Sequence, residues 1–255
     1  MPWNPDIYNQ FKNIRFKPFF DLAEMIEDDL KMKAIDIGCG TGEQTAILAD
    51  KFPQSTFTGI DSSSEMLEKS KTLENDRLHF RQATTEEILN SDEKWNLIFS
   101  NAALQWSDDH QDLFPGLISK LEPEGQLAVQ MPYQPGNILN QILFGLANDE
   151  PFKTQLNSWN RPSAVLTIDE YAQILFENGI ENLHLSQKVY PIIAEDHETL
   201  FNFISGSALI PYLEKLNEEQ QHLFTKEFKQ RIADNFPKLP AMYSFKRILM
   251  YGRKR

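Results

Sequence analysis

Three glycines at alternate positions, Gly38, Gly40 and Gly42, are the residues whose type and spacing point most clearly to chemistry. They follow the segment Lys33–Ile37, which has the apolar character of a buried strand, and they precede a helical pattern of apolar residues. Because glycine has no side chain and tolerates positive φ, such a loop lets the backbone approach a bound ligand closely. The sequence therefore predicts a ligand-binding turn between a strand and a helix.

The glycine spacing and the nearby charges restrict the class of ligand. A dinucleotide-binding loop has glycines at its first, third and sixth positions, whereas here the sixth position is Glu43 and the fifth is Gly42. No Gly-Lys-Ser or Gly-Lys-Thr triplet of a phosphate-binding loop follows. Asp36 and Glu43 flank the loop, and their carboxylates would repel a pyrophosphate and suit a cationic ligand. A nicotinamide dehydrogenase and a phosphate-loop nucleotide-binding protein are both disfavoured.

Asp61 restricts the class of ligand further. It ends the next apolar segment, Thr56–Asp61, where a carboxylate can accept hydrogen bonds from both hydroxyls of a ribose. A nucleoside that lacks phosphate and carries a cationic amino-acid tail is S-adenosylmethionine, which we therefore predict as the cofactor. The alternative left open at this point is a generic doubly wound domain with a glycine turn.

Further residues near predicted strand ends complete the predicted cofactor site. Asn101 ends the fourth strand and is expected to face the methionine end of the cofactor, while Thr84 follows the third strand. Met66 can contact the adenine or belong to the core, and either Ser62 or Ser63 can cap the helix that carries Met66. The predicted cofactor-binding residues are Asp36, Gly38, Cys39, Gly40, Asp61, Ser62, Met66, Thr84 and Asn101.

Strand and helix patterns alternate along the chain and predict an α/β fold. We expect a doubly wound, mostly parallel seven-stranded sheet of Rossmann-like type, with ligands at the carboxyl ends of the strands. The predicted strands span residues 33–37, 56–61, 77–83, 95–101, 125–131, 184–193 and 245–251. The predicted helices span residues 21–31, 42–51, 84–89, 108–121, 137–148, 152–159, 168–178, 198–216 with a break, and 218–236, with one more around Met66.

A single domain covering residues 1–255 is expected. Residues 1–32 precede the first strand and are rich in aromatic residues, so they are predicted to form an N-terminal lid and a helix. The helical segments 133–166 and 194–240 exceed what the sheet fold needs. We predict them to be cap insertions that cover the substrate.

Composition and charge exclude several partners. The chain has 25 lysines and arginines against 37 aspartates and glutamates, a formal net charge of −12, which argues against binding nucleic acid. No run approaches the ~20 apolar residues of a membrane span, and the N-terminal sequence lacks the features of a signal peptide. Cys39 is the single cysteine, so no intrachain disulfide can form, and we expect it to pack as a small residue in the loop. A cytoplasmic monomer without a metal site is expected.

Three stretches together point to a family. They are Trp3-Asn4-Pro5 with Tyr8, Phe11, Arg15 and Pro18; Asn101-Ala102-Ala103-Leu104-Gln105-Trp106 with His110, Leu113, Phe114 and Pro115; and Leu127-Ala128-Val129-Gln130-Met131-Pro132. This combination resembles the trans-aconitate 2-methyltransferase family, which belongs to the class I S-adenosylmethionine-dependent methyltransferases. The resemblance implies a methyltransferase domain with a helical cap. It also implies methyl transfer to a carboxylate of a small di- or tricarboxylic acid, giving a monomethyl ester.

The reaction implied by this resemblance needs positioning and no general base. An aliphatic carboxyl titrates near ~4, so the acceptor is already an anion at neutral pH. No catalytic residue is therefore predicted, and His110 is expected to belong to the start of its helix. The predicted substrate-binding residues are Tyr8, Arg15, Gln105, Trp106 and Arg161.

Two departures from the family pattern concern recognition. Thr84 stands where the family has an acidic residue that addresses the adenine amino group. Ile210, in the run Leu209-Ile210-Pro211-Tyr212, stands where an arginine would bind a carboxylate with two hydrogen bonds. The identity of the acid is therefore open. A malonyl-carrier-protein O-methyltransferase and a non-catalytic S-adenosylmethionine-binding protein are the alternatives.

Overall fold

The structure is a computed structural model that describes residues 12–28, 31–161 and 163–255, with the backbone alone for residues 12–15. It divides into two compact units. The sheet unit comprises residues 17–132, 164–188 and 247–255, and the helical unit includes residues 133–163 and 189–246.

Seven strands are present in the described part of the chain. They are β1 Lys33–Ile37, β2 Thr56–Asp61, β3 Leu78–Gln82, β4 Trp95–Asn101, β5 Leu121–Pro132, β6 Ile180–Ala194 and β7 Ala241–Lys254. The strands form one sheet in the order β3-β2-β1-β4-β5-β7-β6. The four neighbouring pairs from β3 to β5 are parallel, whereas β7 runs antiparallel to β5. The predicted doubly wound, mostly parallel sheet is confirmed.

Eleven α-helices connect or follow these strands within the described residues. They are α1 Lys12–Ala23, α2 Glu43–Lys51, α3 Ser64–Ser70, α4 Thr85–Asn90, α5 His110–Ser119, α6 Ile138–Asn148, α7 Phe152–Gln155, α8 Ile168–Glu177, α9 His197–Ser205, α10 Ile210–Leu213 and α11 Glu218–Asn235. Helices α2 to α5 follow strands β1 to β4 in turn, each after a connecting loop. That connection places the loops between strand and helix at one edge of the sheet.

The sheet unit owes its core to strands that are buried on both faces. In β4, Leu97 and Phe99 pack into one cluster with Phe19, Leu48 and residues from other strands, while Ile98 between them is also fully buried. A continuous apolar run of this kind is typical of a central parallel strand. The register sets Ile37 beside Ile60, so the carboxyl ends of β1 and β2 lie level with each other.

The helical unit has a separate apolar core. Aromatic rings dominate it: Phe152 and Phe224 meet edge to face with ring centroids 5.0 Å apart, and Phe203 meets Phe245 in the same way at 4.9 Å. Phe224, Phe228 and Ile232 lie on one face of α11 at four-residue spacing and are fully buried. The amphipathic pattern read from the sequence is therefore a packing face.

The first helix was predicted at residues 21–31, and that prediction is wrong. Helix α1 ends at Ala23. In the predicted helix, Glu27 and Asp28 would have placed carboxylates near the C-terminal, negative end of the helix dipole, which is unfavourable. The backbone of Glu27 is bound instead by the side chain of Gln126, which accepts from Glu27 N at 2.9 Å and donates to Glu27 O at 3.0 Å.

Other boundaries differ by smaller amounts. The short helix predicted at 152–159 stops at Gln155 because Asn157 and Ser158 have φ of 53° and 58°, in the left-handed region that ends a helix. Strands β5, β6 and β7 each begin earlier than predicted, at Leu121, Ile180 and Ala241. The predicted break in 198–216 is present between α9 and α10.

Candidate functional site

The turn after β1 is fixed against β2 by its own backbone. Gly38 N and Cys39 N both donate to Ile60 O, at 2.8 and 2.9 Å. Gly38 has φ of 77°, and a Cβ atom there would lie 2.1 Å from the Cβ of Ala103. Glycine is therefore required at this position both by conformation and by the close approach of the segment after β4.

The base of the same turn rests on one aromatic ring. A Cβ atom on Gly42 would lie 2.6 Å from the ring of Phe80, and a Cβ atom on Gly59 would meet the same ring at 2.6 Å. Gly42 also has φ of 78°. Packing against Phe80 on β3 thus leaves no room for a side chain at Gly42 or Gly59.

The Asp61 carboxylate bridges two backbone groups of neighbouring loops. Its Oδ2 accepts from Gly40 N at 2.9 Å, and its Oδ1 accepts from Ser63 N at 2.9 Å. Ser63 in turn caps helix α3 by accepting from Met66 N. Each carboxylate oxygen keeps a further lone pair, so Asp61 can accept two more hydrogen bonds from a ligand.

Asp36 lies beneath the turn and is buried. Its Oδ2 accepts from Thr45 Oγ1 at 2.6 Å, and only 3% of the residue is exposed. Burial raises the pKa of Asp36 to about 7; the Thr45 hydrogen bond opposes the rise and the charge of Asp61 adds to it. A cation near this carboxyl would favour its ionised form.

Cys39 is an unreactive thiol in this arrangement. It is buried, and burial together with the charges of Asp36 and Asp61 raises the pKa of the Cys39 thiol far above its ordinary range. The group is therefore protonated at neutral pH. Since the thiolate is the nucleophile of cysteine chemistry, Cys39 acts here as a packing residue.

Ser62, Met66 and Thr84 lie around the ends of β2 and β3. The Met66 Cε is 3.4 Å from where a Cβ atom on Gly40 would be, so this half-buried side chain lies over the turn. Thr84 caps α4 by accepting from Glu87 N at 3.2 Å, while Thr84 N donates to Glu87 Oε2 at 2.8 Å. Ser62 contributes its carbonyl oxygen to Gln82 Nε2. The helix cap that the sequence left between Ser62 and Ser63 is Ser63.

Asn101, at the end of β4, belongs to a chain of amide side chains. It donates from Nδ2 to Gln44 Oε1 at 2.8 Å and accepts at Oδ1 from Gln130 Nε2. Gln130 accepts at Oε1 from Arg247 Nη1 at 2.6 Å. Sequence reasoning missed Gln44, Gln130 and Arg247. The available signal was a polar Gln130 and a charged Arg247 within otherwise apolar strand patterns.

The segment after β4 presents Gln105 and Trp106. Ala102 has φ of 57°, and its carbonyl oxygen accepts from Gln105 Nε2 at 2.7 Å. Gln105 is 7% exposed, and its Oε1 is buried without a hydrogen-bond partner among the described residues. The hydrogen bond to Ala102 thus holds the Gln105 side chain against its own segment, with the amide oxygen enclosed. Trp106 is 37% exposed.

His110 is the first residue of α5, as predicted, and both its ring nitrogens are occupied. Nε2 lies 2.9 Å from Leu104 O, and since a carbonyl only accepts, this nitrogen carries the proton. Nδ1 therefore accepts from the hydroxyl of Tyr171. Burial lowers the pKa of His110, so the ring is neutral and holds the segment after β4 in place.

The remaining predicted substrate residues are only partly described. Tyr8 lies outside the described residues, and only the backbone of Arg15 is described, on α1. Arg161 belongs to the helical unit, where its N donates to the Tyr212 hydroxyl at 3.3 Å. Ile210 is the first residue of α10 in the same unit. Among the described residues, no three histidine, cysteine, aspartate or glutamate side chains are grouped as metal ligands.

Comparison with known proteins decides the family. A model described as a methyltransferase domain matches residues 28–197. A trans-aconitate 2-methyltransferase of Deinococcus radiodurans is 38% identical over all of this chain and 99% of its own length. The chain belongs to the trans-aconitate 2-methyltransferase family. The prediction made from the three sequence stretches is confirmed.

Other similarities agree with this family. A trans-aconitate 2-methyltransferase of Escherichia coli is 32% identical over 92% of this chain and 90% of its own length. Among solved structures, the YcgJ protein of Bacillus subtilis superposes with a TM-score of 0.59 at 18% identity, covering 94% of this chain and 98% of that one. At that identity, the superposition supports the fold alone.

As a member of the trans-aconitate 2-methyltransferase family, the chain is an S-adenosylmethionine-dependent methyltransferase, which confirms the predicted enzyme class and cofactor. The charges near the turn suit a cofactor with a cationic tail, because the Asp61 carboxylate is bound to Gly40 N and the Asp36 carboxyl lies just before the turn. No helix in the described ranges is long and apolar enough to cross a membrane.

Proposed function

We propose that this enzyme esterifies one carboxylate of a small di- or tricarboxylic acid, with trans-aconitate as the first candidate. The observation that carries the proposal is the 38% identity, over the full chain, to a protein named trans-aconitate 2-methyltransferase. The relative from Escherichia coli bears the same name.

The cofactor is proposed to bind at the turn after β1. Asp61 would accept the ribose hydroxyls with the lone pairs that Gly40 N and Ser63 N leave available. Asp36 would lie near the ammonium group, and Gly38, Cys39 and Gly40 along the methionine portion. Met66 would cover the adenine, with Ser62 and Thr84 at its edge. Bound S-adenosylmethionine supplies an electrophilic methyl group, whose transfer leaves a neutral thioether.

The chain's own contribution to catalysis is positioning. A substrate carboxylate is ionised at neutral pH, so no side chain has to remove a proton. His110 is neutral, and both its ring nitrogens are hydrogen-bonded, to Leu104 O and the Tyr171 hydroxyl, so neither is available as a base. Asn101 would face the methionine end of the cofactor and its methyl group, while Gln105 and Trp106 would line the pocket for the acid. Correct orientation of two reactants contributes on the order of 7–11 kcal/mol, and exclusion of water adds to it.

The groups that bind the remaining carboxylates of the acid stay predictions. Arg15 and Arg161 are the proposed cations, and Tyr8 is the proposed hydroxyl donor. The isoleucine at position 210 supplies no charge, so the acid would be bound by other residues than a guanidinium at that position. The single-domain organisation with an N-terminal lid at 1–32 and cap segments at 133–166 and 194–240 also remains a prediction.

A panel of acids tests the proposal. The protein would be incubated with S-adenosylmethionine and, separately, trans-aconitate, cis-aconitate, citrate, itaconate and a malonyl-loaded carrier protein. Mass spectrometry would detect methyl esters, and liquid chromatography would detect S-adenosylhomocysteine. Ester formation from trans-aconitate at the highest kcat/KM is expected. Turnover confined to the carrier-bound malonyl group, or to amines and phenols in a second panel, would contradict it.

Location and assembly are proposed as well. We propose a monomer that acts in the cytoplasm without a nucleic-acid partner, and the net charge of −12 supports the last point because phosphate binding requires clustered basic surface. Light scattering after size-exclusion chromatography would measure the assembly. A mass of twice the chain mass at micromolar concentration would exclude the monomer.

A further inference from the structure

The hydrogen-bonded chain from Arg247 to Gln44 has a defined direction. A guanidinium can only donate, so the Gln130 atom 2.6 Å from Arg247 Nη1 must be its oxygen. The Gln130 nitrogen therefore faces Asn101 and donates to Asn101 Oδ1. The Asn101 nitrogen then faces Gln44 and donates to Gln44 Oε1 at 2.8 Å. One cation thus fixes which way three amides point.

Burial makes this direction hard to reverse. Gln130 is fully buried and Arg247 is 5% exposed, so neither side chain can turn to bulk water for its hydrogen bonds. Reversing any amide in the chain would set two donors or two acceptors against each other. A buried polar group left without a partner costs about 1–3 kcal/mol.

The series of hydrogen bonds that starts at Arg247 ends in a hydrogen-bond donor beside the glycine turn. Gln44 lies in the first turn of α2, two residues after Gly42, and is half-buried. Its oxygen is used by Asn101, which leaves its Nε2 as the outward group. Within the described chain, Gln44 Nε2 donates to no protein atom.

We propose that Arg247, acting through Gln130 and Asn101, orients Gln44 so that its Nε2 donates to the carboxylate of the methionine portion of S-adenosylmethionine. Arg247 and Gln130 are positioning residues in this scheme, and Gln44 is the residue that contacts the cofactor. An outward amide oxygen in place of Nε2 would repel the same carboxylate. The inference rests on the proposed placement of the cofactor at the glycine turn.

Replacing Gln130 by glutamate tests the direction of the chain. Gln130→Glu keeps an acceptor for Arg247, and the ion pair preserves the fold, but it presents an acceptor to Asn101. Asn101 must then reverse, Gln44 must reverse in turn, and an oxygen becomes the outward group. The dissociation constant for S-adenosylmethionine, measured by calorimetry, is expected to rise about tenfold or more, as loss of a hydrogen bond to a charged group would produce.

A matched control lies on the same strand. Gln126 is also a buried amide on β5, and it bonds to Glu27 and Tyr251 instead of the chain from Arg247. Gln126→Glu is expected to lower the melting temperature, because the donor to Glu27 O is lost, and to leave cofactor affinity unchanged. Equal effects of the two substitutions on affinity would overturn the proposal.

Truncation of Gln44 tests the end of the chain. Gln44→Ala removes the Nε2 donor. The double variant Gln44→Ala with Gln130→Glu is expected to bind S-adenosylmethionine no more weakly than Gln44→Ala alone, because both changes act through Gln44 Nε2. Additive losses would overturn the proposal. Asp61→Ala serves as the control for cofactor placement. If folded Asp61→Ala binds S-adenosylmethionine with unchanged affinity, both the proposed placement and this inference are overturned. If Asp61→Ala binds weakly but Gln130→Glu binds normally, only this inference is overturned.

Discussion

Asp61 and Asp36 are two carboxylates of the same turn with different surroundings. Asp61 accepts hydrogen bonds from two backbone N–H groups, and each of its carboxylate oxygens keeps a further lone pair. Asp36 is buried and receives one hydroxyl, that of Thr45. Burial disfavours the charged form of Asp36, whereas Asp61 is prepared to accept hydrogen bonds. The two positions therefore lead to different predictions.

Removing the Asp61 carboxylate is expected to weaken cofactor binding. Asp61→Ala removes the proposed acceptor of the two ribose hydroxyls and leaves the Gly40 and Ser63 N–H groups without their acceptor. The dissociation constant for S-adenosylmethionine should therefore rise by at least about tenfold. Calorimetry measures the constant, and circular dichroism confirms the fold. Asp76→Ala, at an exposed position before β3, is the control and should bind normally.

Asp36 should make stability depend on pH. Its pKa is raised to about 7 in the folded chain, so the favourable contribution is fully present below the ordinary value of ~4 and is lost as pH rises through 7. Between pH 5 and 7 the free energy of unfolding should fall by on the order of 2 kcal/mol relative to Asp36→Asn, which does not titrate.

Urea unfolding of both proteins without cofactor, across pH 4 to 9, measures this difference. His110 acts in the opposite sense, since its lowered pKa costs stability as pH falls below about 6.5. It is present in both proteins, so it cancels in the comparison. A difference between the two proteins that stays constant across the range would show that Asp36 is ionised throughout.

At the scale of elements, the sequence predicted the first half of the sheet closely. The bounds of β1, β2 and β4 agree with the expected segments because each is a short segment with buried apolar residues, and each precedes a loop of glycine or polar residues. The first helix was misplaced because the Gln126 side chain, 99 positions away, binds the backbone of Glu27. A long-range side-chain contact of this kind leaves no periodic signal.

The site was predicted in the same uneven way. The positions of Gly38, Asp61 and Asn101 at or just after strand ends were predicted correctly, because strand ends and glycine spacing are visible in a linear pattern. Their roles in binding stay predictions. The hydrogen bond between Gln130 and Arg247 was not predicted, because it depends on β5 and β7 pairing in antiparallel register. Pairing between strands so distant in sequence is set by tertiary packing.

The contact between helices α5 and α8 is expected to contribute to the free energy of unfolding. The Tyr171 hydroxyl accepts from Leu166 N at 3.1 Å and donates to His110 Nδ1. Tyr171→Phe leaves both groups buried without that partner, so the free energy of unfolding should fall by about 1–3 kcal/mol. Urea denaturation measures the change.

Tyr133 offers the control for this substitution. Its hydroxyl makes no hydrogen bond to the described chain, so Tyr133→Phe should change the free energy of unfolding by less than about 0.5 kcal/mol. If Tyr171→Phe is as mild as Tyr133→Phe, the hydroxyl does not hold His110. Nitrogen chemical shifts of the His110 ring would report the loss of the bond directly.

For the whole molecule, cofactor binding should raise the free energy of unfolding. A ligand that binds only the folded chain adds about 2.7 kcal/mol to the free energy of unfolding at a free concentration of one hundred times its dissociation constant. S-adenosylmethionine and S-adenosylhomocysteine should both show this effect in urea unfolding followed by tryptophan fluorescence. Adenosine triphosphate at the same concentration should not, because Asp36 and Asp61 repel phosphate.

The single cysteine gives this protein an internal chemical probe of its own turn. Cys39 is buried and protonated, so a coloured disulfide reagent can react only during moments when the turn opens and exposes sulfur. Because no other thiol in the sequence competes, the colour that develops over time records that opening without any introduced label. If S-adenosylmethionine binds at the turn, the rate at which colour develops should fall in proportion to the fraction of molecules that hold the nucleoside.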